Sequence, residues 1–195
     1  GVMCACPFCD EDPRAHHGRI THSLPNGFFY AITNLKPLLP GHILICSREH
    51  ANGLSEALSQ HPLAAAEFST FVGTVSQALM RAFQTDSYNL MIQEGPHSGQ
   101  SIQHLHLHLI PRMRDDIKGE WFKLFMSEEH GEHSAPEWSV EERTVEAQRL
   151  REYFPPEYVD MEDREEECEN VQQLVESDVQ EWSVEERTVE AQRLR

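Results

Sequence analysis

One ten-residue stretch constrains the fold of this chain more than any other, because three histidines alternate in it with three leucines. It reads Gln-His-Leu-His-Leu-His-Leu-Ile-Pro-Arg over residues 103–112. Successive side chains of a β-strand point to opposite faces, so the histidines share one face and the leucines the other. A solvated or tag-like run is the simpler interpretation, but strict alternation with leucine disfavours it. The pattern predicts a reactive face that carries His104, His106 and His108.

A turn-rich loop precedes this stretch. It covers residues 93–101 and follows the apolar run at residues 88–92. Its glycines permit backbone conformations that other residues avoid, and Gly99, Gln100 and Ser101 can aim amide and side-chain donors at a phosphate. Such a loop is a weak signal by itself. Next to three alternating histidines it indicates a site where anion donors and nucleophilic imidazoles meet.

These segments resemble the histidine triad hydrolases and transferases, and within them the fragile-histidine-triad branch of dinucleoside polyphosphate hydrolases. The resemblance covers about residues 28–112. The family usually has an α+β fold, in which one face of an antiparallel sheet carries a packed helix, and it usually forms homodimers. The matching segments are residues 33–42, residues 93–96, residues 99–101 and the triad with Pro111 and Arg112.

An imidazole that is neutral near pH 7 can attack a phosphorus atom, because its unperturbed pKa is about 6.5. The resemblance implies that His106 is this nucleophile and that a nucleotidyl-histidine intermediate forms. It also implies that His108 and Gln93 hold phosphate oxygens and that Gln100 or Ser101 assists the leaving group. Because the chain is acidic, a polyanionic substrate is expected to be held by local donors or to arrive with Mg²⁺ or a similar ion. The other substrate-binding residues implied by the resemblance are Asn34 on the ribose, His42 behind the triad, Gly99 and Ile102.

The first nine residues contain a C-x-x-C pair, Cys6 and Cys9, whose thiolates can face one metal ion. In zinc-bearing relatives the remaining ligands are two histidines, and the matching residues here are His50 and His104. We therefore expect a structural zinc site, with a reduced thiol cluster as the alternative and Cys4 as a possible replacement for Cys6. With zinc bound, His104 is a ligand; without zinc, it faces the substrate.

Length, charge and cysteine content limit the classes of protein to which this chain can belong. A chain of 195 residues with 39% hydrophobic content suits one globular domain with an extension, and no apolar run reaches the roughly 18 residues of a membrane span. The net charge is −17, of which residues 137–195 carry −12 through 19 acidic and 7 basic residues, leaving −5 for the rest. This acidity disfavours binding to nucleic acid or anionic membranes. The five cysteines do not suit a secreted disulfide framework, so we expect a cytoplasmic protein, with nuclear entry left open.

Together with the resemblance, the order of the segments leads us to expect an α+β fold, with an antiparallel sheet of about five strands, a helix packed on one face and a C-terminal helix beyond. Strands are expected at residues 28–33, 42–46 and 88–92 and at the triad. Residues 10–26, with His16, His17 and His22, are expected to form a loop. Apolar residues at steps of three and four predict a helix over residues 59–84.

Residues 137–151 recur letter for letter at residues 181–195, with an offset of 44 positions. Each copy opens with a capping box, which is Ser139 with Glu142 in the first copy and Ser183 with Glu186 in the second. Each copy should therefore start a helix. We place the triad domain at residues 1–135 and an acidic helical extension at residues 136–195. Residues 113–135 are predicted to be a loop at the site entrance, within which Trp121 packs locally or stacks on a nucleobase.

The predicted function is hydrolysis of a diadenosine tri- or tetraphosphate to AMP and the remaining nucleotide. One alternative is a purine nucleoside phosphoramidase of the same superfamily, which Gln93 and the Pro-Arg ending disfavour and the C-x-x-C pair favours. The other is a nucleotide-binding signalling protein with incidental turnover. Product identification separates the two enzymes, and the turnover rate separates either enzyme from the signalling protein.

Overall fold

The computed structural model describes residues 6–9, 18–22, 27–114, 116 and 135–159, with only the backbone given for His22, Pro62 and Leu63. Several sequence predictions concern residues outside these ranges. They are the alternative ligand Cys4, the solvated His16 and His17, the role of Trp121, and the second copy of the repeat at residues 181–195.

Five antiparallel strands form one sheet, in the spatial order β1-β2-β3-β5-β4. The expected α+β class and strand number are confirmed. The connection from β3 to β4 runs through helices, and β5 then returns between β3 and β4. The strands are β1 Arg19–His22, β2 Phe29–Thr33, β3 Ile43–Ser47, β4 Ser87–Ile92 and β5 His106–Arg112.

Strand β1 lies within residues 10–26, which the sequence predicted to be a loop, and that prediction is wrong for these four residues. The strand has a single aliphatic side chain, Ile20, and its pairing with β2 is irregular between Arg19 and Thr21. So short a segment shows no alternation of apolar and polar residues. It becomes a strand because β2 offers it an edge to pair with.

Helices α1 and α2 follow β3 and cover Leu54–Gln60 and Pro62–Phe83. The predicted helix over residues 59–84 therefore begins too early, because residues 59 and 60 belong to α1. The break is at His61, whose φ of −120° and ψ of 98° are extended, as expected for a residue before proline. None of the helices in the described part of the chain combines the length and the apolarity of a membrane-spanning helix.

The two faces of the sheet have different coverings. Leu105, Leu107 and Leu109 join the main core, where the buried side chains of α2 pack on the sheet. On the opposite face a smaller apolar cluster lies beside the histidines, and Phe8 packs against it. The leucine face is therefore core, as the alternation predicted, and the N-terminal segment covers part of the histidine face. The smaller cluster consists of Tyr30, Ile32, Leu44 and Cys46.

Helix α3 covers Val140–Arg151, within the first copy of the repeat. The predicted capping box is confirmed, because Ser139 accepts from the Glu142 amide at 3.1 Å and Glu142 accepts from the Ser139 amide at 2.7 Å. Ala147 and Leu150 are fully buried in the main core. The first copy of the repeat thus packs on the same core as the triad strand.

Candidate active site and metal centre

The three triad histidines lie together on one side of the sheet. His106 and His108 belong to β5, opposite Cys46 and Leu44 of β3, and His104 precedes the strand by two residues. The ring centroids of His106 and His108 are 5.3 Å apart. All three side chains are buried, and this burial makes their protonation and hydrogen bonding decisive for any chemistry.

The ring of His106 has a defined orientation. Its Nδ1 lies 2.7 Å from the backbone carbonyl oxygen of His104. A carbonyl oxygen can only accept, so Nδ1 carries the hydrogen and Nε2 carries the lone pair. Burial lowers the pKa of His106, which keeps the ring neutral at pH 7. The arrangement presents a nucleophilic nitrogen on the histidine face.

A chain of hydrogen bonds sets the tautomer of His108. The Leu38 amide donates to His42 Nδ1 at 3.1 Å, so the hydrogen of the His42 ring is on Nε2. That nitrogen lies 3.0 Å from Nδ1 of His108, which must accept, and His108 therefore carries its own hydrogen on Nε2. Burial lowers the pKa of His42 to about 3 and that of His108 well below its usual value. His108 is thus a neutral donor.

Asn34, at the end of β2, lies beside this chain. Its Oδ1 accepts from the Lys36 amide at 3.1 Å, and its amide nitrogen is 3.1 Å from Nε2 of His42. The side chain is buried. The structure therefore brings two predicted substrate-binding residues, Asn34 and His42, next to His108.

The loop between β4 and β5 contains a short 3-10 turn, Pro96–Ser98, and then Gly99 with a φ of 88°. The Gln100 side chain connects this loop to the segment before α1. Its Oε1 accepts from the Gly95 amide at 2.7 Å, and its Nε2 donates to the Asn52 carbonyl at 2.6 Å. One end of the amide group thus bonds within the loop, and the other end holds the loop to Asn52.

The other predicted loop residues lie at different places around the triad. Ile92 of β4 pairs with Leu107 of β5. Because the strands are antiparallel, the next residue of the chain, Gln93, comes level with His106. Ser101 is exposed. Ser101 and Ile102 border a surface depression of about 430 Å³ that also touches the N-terminal segment. Its other lining residues are Cys6, Pro7, His50 and Gln103.

The four predicted metal ligands come together, with all ligand atoms within 4.8 Å of one another. His104 Nδ1 lies 3.3 Å from the Cys6 sulfur and 3.7 Å from the Cys9 sulfur, and His50 Nδ1 lies 3.5 Å from the Cys9 sulfur. Tetrahedral bonds of about 2.0–2.3 Å place neighbouring ligand atoms about 3.3–3.8 Å apart. These three distances match the spacing of a four-coordinate metal site.

Ser47 orients the one ligand that the cluster shares with the triad. His104 Nε2 lies 2.7 Å from the Ser47 carbonyl oxygen, to which it donates, and 3.0 Å from the Ser47 hydroxyl. The lone pair on Nδ1 is consequently directed at the two cysteines. Burial lowers the pKa of His104 to about 4, so the ring is neutral as a ligand must be. The sequence contained no signal for Ser47, because its role depends on the end of β3.

Phe8, between the two cysteines, lies between the cluster and His106. The Tyr30 hydroxyl donates to the Phe8 carbonyl oxygen at 2.8 Å. The Phe8 ring centroid is 5.8 Å from that of His104 and 5.3 Å from that of His106. Sequence analysis assigned Phe8 no role, since contact with the triad requires the loop to fold over the sheet.

Comparisons with known proteins show what part of this chain is similar to. Residues 25–115 match the family model described as HIT domain. The chain is 34% identical over 96 residues to a bis(5'-adenosyl)-triphosphatase of Saccharomyces cerevisiae, covering 48% of this chain and 44% of that protein. It is 35% identical over 87 residues to an asymmetrical bis(5'-nucleosyl)-tetraphosphatase of Schizosaccharomyces pombe, covering 45% and 46%. The match thus spans less than half of either relative.

A solved structure, described as a Zn-bound histidine triad family protein from Mycobacterium smegmatis, shares the fold. It superposes with a TM-score of 0.55 at 21% identity and covers 76% of this chain and 92% of its own. The sheet order, the alternating histidines and the family match agree with one another. Residues 25–115 of this chain therefore match the HIT domain family model, and the chain shares the fold of a histidine triad protein.

Proposed function

We propose that this domain hydrolyses dinucleoside polyphosphates, such as diadenosine tri- or tetraphosphate, to AMP and the remaining nucleotide. The observation that carries the proposal is the 2.7 Å hydrogen bond from His106 Nδ1 to the His104 carbonyl, which leaves Nε2 as a lone-pair nucleophile. The substrate class is supported by the relatives, which are named as a triphosphatase and a tetraphosphatase of dinucleosides.

In the first step, His106 Nε2 attacks the α-phosphorus and a nitrogen–phosphorus bond forms. The bond from phosphorus to the bridging oxygen breaks, and that oxygen leaves with the second nucleotide. In the second step, water attacks the same phosphorus, the nitrogen–phosphorus bond breaks, and AMP is released with the ring neutral again. Both transition states place negative charge on phosphate oxygens, so donors beside the nucleophile are as important as the nucleophile.

His108 is the best-defined donor. Since its Nδ1 accepts from His42, its Nε2–H is directed by a buried chain that begins at a backbone amide. Gln93 and Ser101 are further candidates for phosphate contacts because of their places beside β5. Gln100 has a positioning role in this proposal, since its amide group braces the loop that carries Ser101.

The cluster of two cysteines and two histidines is proposed to hold a structural Zn²⁺. Thiolate and imidazole ligands in tetrahedral spacing suit this ion, and all four positions are filled by protein, as in a closed structural site. His104 then acts as a positioning residue, because its ring is a ligand while its carbonyl orients His106. The divalent ion expected with the substrate would bind the polyphosphate instead.

A homodimer through strand β4 is proposed as the assembly. In the described part of the chain, β4 pairs with β5 and no strand covers its other edge. Tyr88 and Leu90 on this strand are 41% and 39% exposed, large fractions for apolar side chains two residues apart on one face. A second copy that pairs along this edge would cover both.

The phosphoramidase remains the second candidate. The metal cluster is the observation that favours it, because the C-x-x-C pair of the cluster resembles that of zinc-bearing members of the superfamily. A substrate panel tests both at once. Purified protein with Mg²⁺ is incubated with diadenosine triphosphate, diadenosine tetraphosphate and an adenosine phosphoramidate, and products are separated by chromatography. AMP release from the dinucleotides supports the proposal, and preferred cleavage of the phosphoramidate would replace it.

A further inference from the structure

Glu94, in the loop between β4 and β5, has no part in the chemistry proposed above, yet its carboxylate bonds this loop to the start of α1. One oxygen, Oε2, accepts from the Leu54 amide at 3.0 Å and from the Ser55 amide at 3.4 Å. The other oxygen, Oε1, accepts from the Ser55 hydroxyl. Although Glu94 is exposed, its side chain is therefore held by three donors.

Gly53 leaves the space that this carboxylate occupies. A Cβ atom at residue 53 would lie 2.4 Å from Cδ and 2.5 Å from Cγ of Glu94, much closer than nonbonded carbon atoms approach. The backbone does not require glycine here, because a φ of −161° and a ψ of 178° are extended and any residue can adopt them. The missing side chain at residue 53 therefore serves the contact with Glu94.

The segment before α1 is also bonded to the backbone of the triad. The Leu105 amide, which lies between the first two triad histidines, donates to the Ala51 carbonyl at 2.6 Å. The carbonyl of the next residue, Asn52, accepts from the Gln100 side chain at 2.6 Å. This segment thus connects the loop to the backbone of the proposed nucleophile.

We propose that Glu94 is a positioning residue, which holds the loop so that Gln93 stays level with His106, and that residue 53 is glycine to admit its carboxylate. The inference rests on the function proposed above, in which Gln93 contacts a phosphate oxygen. Gln93 is the residue directly before Glu94, so a shift of Glu94 moves it as well. A misplacement of about 1 Å in such a group can lower a rate about a hundredfold.

A purely structural alternative is that Glu94 only caps α1. Gly53, at the N-cap position of this helix, has no side chain that could accept from the first amides, and Glu94 accepts from them instead. A carboxylate placed in the helix cap itself, rather than in the loop, separates the two explanations.

The test therefore compares two variants of the full chain. Glu94→Ala removes the carboxylate, whereas Glu94→Ala combined with Gly53→Asp returns a carboxylate to the N-cap of α1 and restores the net charge. We expect Glu94→Ala to lower Tm by a few degrees and kcat for AMP release from diadenosine triphosphate about ten- to a hundredfold. The loss should be mainly in kcat, because Gln93 is proposed to stabilise charge in the transition state. In the combined variant, Tm should recover and kcat should not.

Gly53→Ala displaces the same carboxylate from the other side of the contact. It should lower kcat about as much as Glu94→Ala, and combining these two substitutions should add little, because no carboxylate is left to displace. Glu141→Ala, at an exposed glutamate in the first turn of α3, controls for the loss of one carboxylate at a helix start and should keep the wild-type kcat.

Hydrogen exchange followed by mass spectrometry reports the position of the loop without turnover. We expect faster exchange of residues 93–101 in Glu94→Ala, which the added Gly53→Asp does not slow. Wild-type exchange in Glu94→Ala, or recovery of kcat together with Tm in the combined variant, would overturn the proposal. If the wild-type protein releases no AMP, the proposed function fails, and the exchange alone then decides whether Glu94 holds the loop.

Discussion

The Nδ1 of His106 lies 2.7 Å from the backbone carbonyl oxygen of His104, and this contact joins the proposed nucleophile to a proposed metal ligand two residues away. The carbonyl fixes the tautomer of His106, while the ring of His104 faces two cysteine sulfurs. The proposed orientation of the nucleophile and the proposed metal binding are therefore linked through one short piece of backbone.

Replacement of His106 by alanine removes the nitrogen that is proposed to attack phosphorus. We expect His106→Ala to lower the rate of AMP release from diadenosine triphosphate by at least about a thousandfold, since loss of a covalent nucleophile has effects of this size or larger. The measurement is product chromatography, with circular dichroism as the check of folding. His97→Ala, on the exposed 3-10 turn, is the control and should keep full activity. Comparable release by His106→Ala would exclude this residue as the nucleophile.

The metal cluster predicts about one zinc ion per chain. Cys6→Ser removes a thiolate from the cluster, so we expect the bound zinc to fall to a small fraction and the Tm to fall with it. Elemental analysis of dialysed protein measures the stoichiometry. Cys168→Ser, in the acidic segment of the sequence, changes a thiol that is not one of the four proposed ligands, and we expect it to leave the zinc content unchanged. Equal zinc in both variants would contradict the assignment.

The buried His42 predicts a loss of stability in mild acid. Burial lowers its pKa to about 3, whereas an unfolded histidine binds a proton below pH 6.5. Between these values the unfolded state binds more protons, so the free energy of unfolding falls as pH falls, by about 1.4 kcal/mol per pH unit for this group. Its contribution is complete above pH 6.5 and is lost progressively below.

Denaturant unfolding at pH 7 and pH 5 measures this effect. The wild-type protein should lose about 2 kcal/mol more than His42→Asn over this interval, because the variant lacks the titrating ring. An identical pH dependence in the two proteins would show that His42 does not stay neutral in the folded state.

The exposed edge of β4 predicts a dimer that one charge can dissociate. Leu90→Arg places a cation where a partner strand would pack, and we expect it to shift the protein from dimer to monomer in light scattering after size exclusion. Val145→Arg is the matched control, because Val145 is similarly exposed on α3, away from that edge. A monomeric wild-type protein would disprove the assembly.

The local pattern of the sequence by itself determined several elements of this fold. Apolar and polar residues alternate along a strand when one of its faces packs in the core and the other carries polar side chains. The triad strand and its leucine face were therefore predictable from the sequence. The same holds for α2, whose stripe of Phe71, Val75 and Leu79 repeats at helical spacing, and for the capping box of α3. Resemblance to a known family supplied the pairing of a distant C-x-x-C with His50 and His104.

Tertiary structure decided what depends on contacts between distant residues. β1 has too few residues to show a period and exists because β2 offers it an edge. The tautomer of His108 is set by a backbone amide 70 residues earlier, at Leu38, and the orientation of His104 is set by Ser47. A side chain's chemistry follows from which atoms surround it, and the chain brings those atoms together only when it folds.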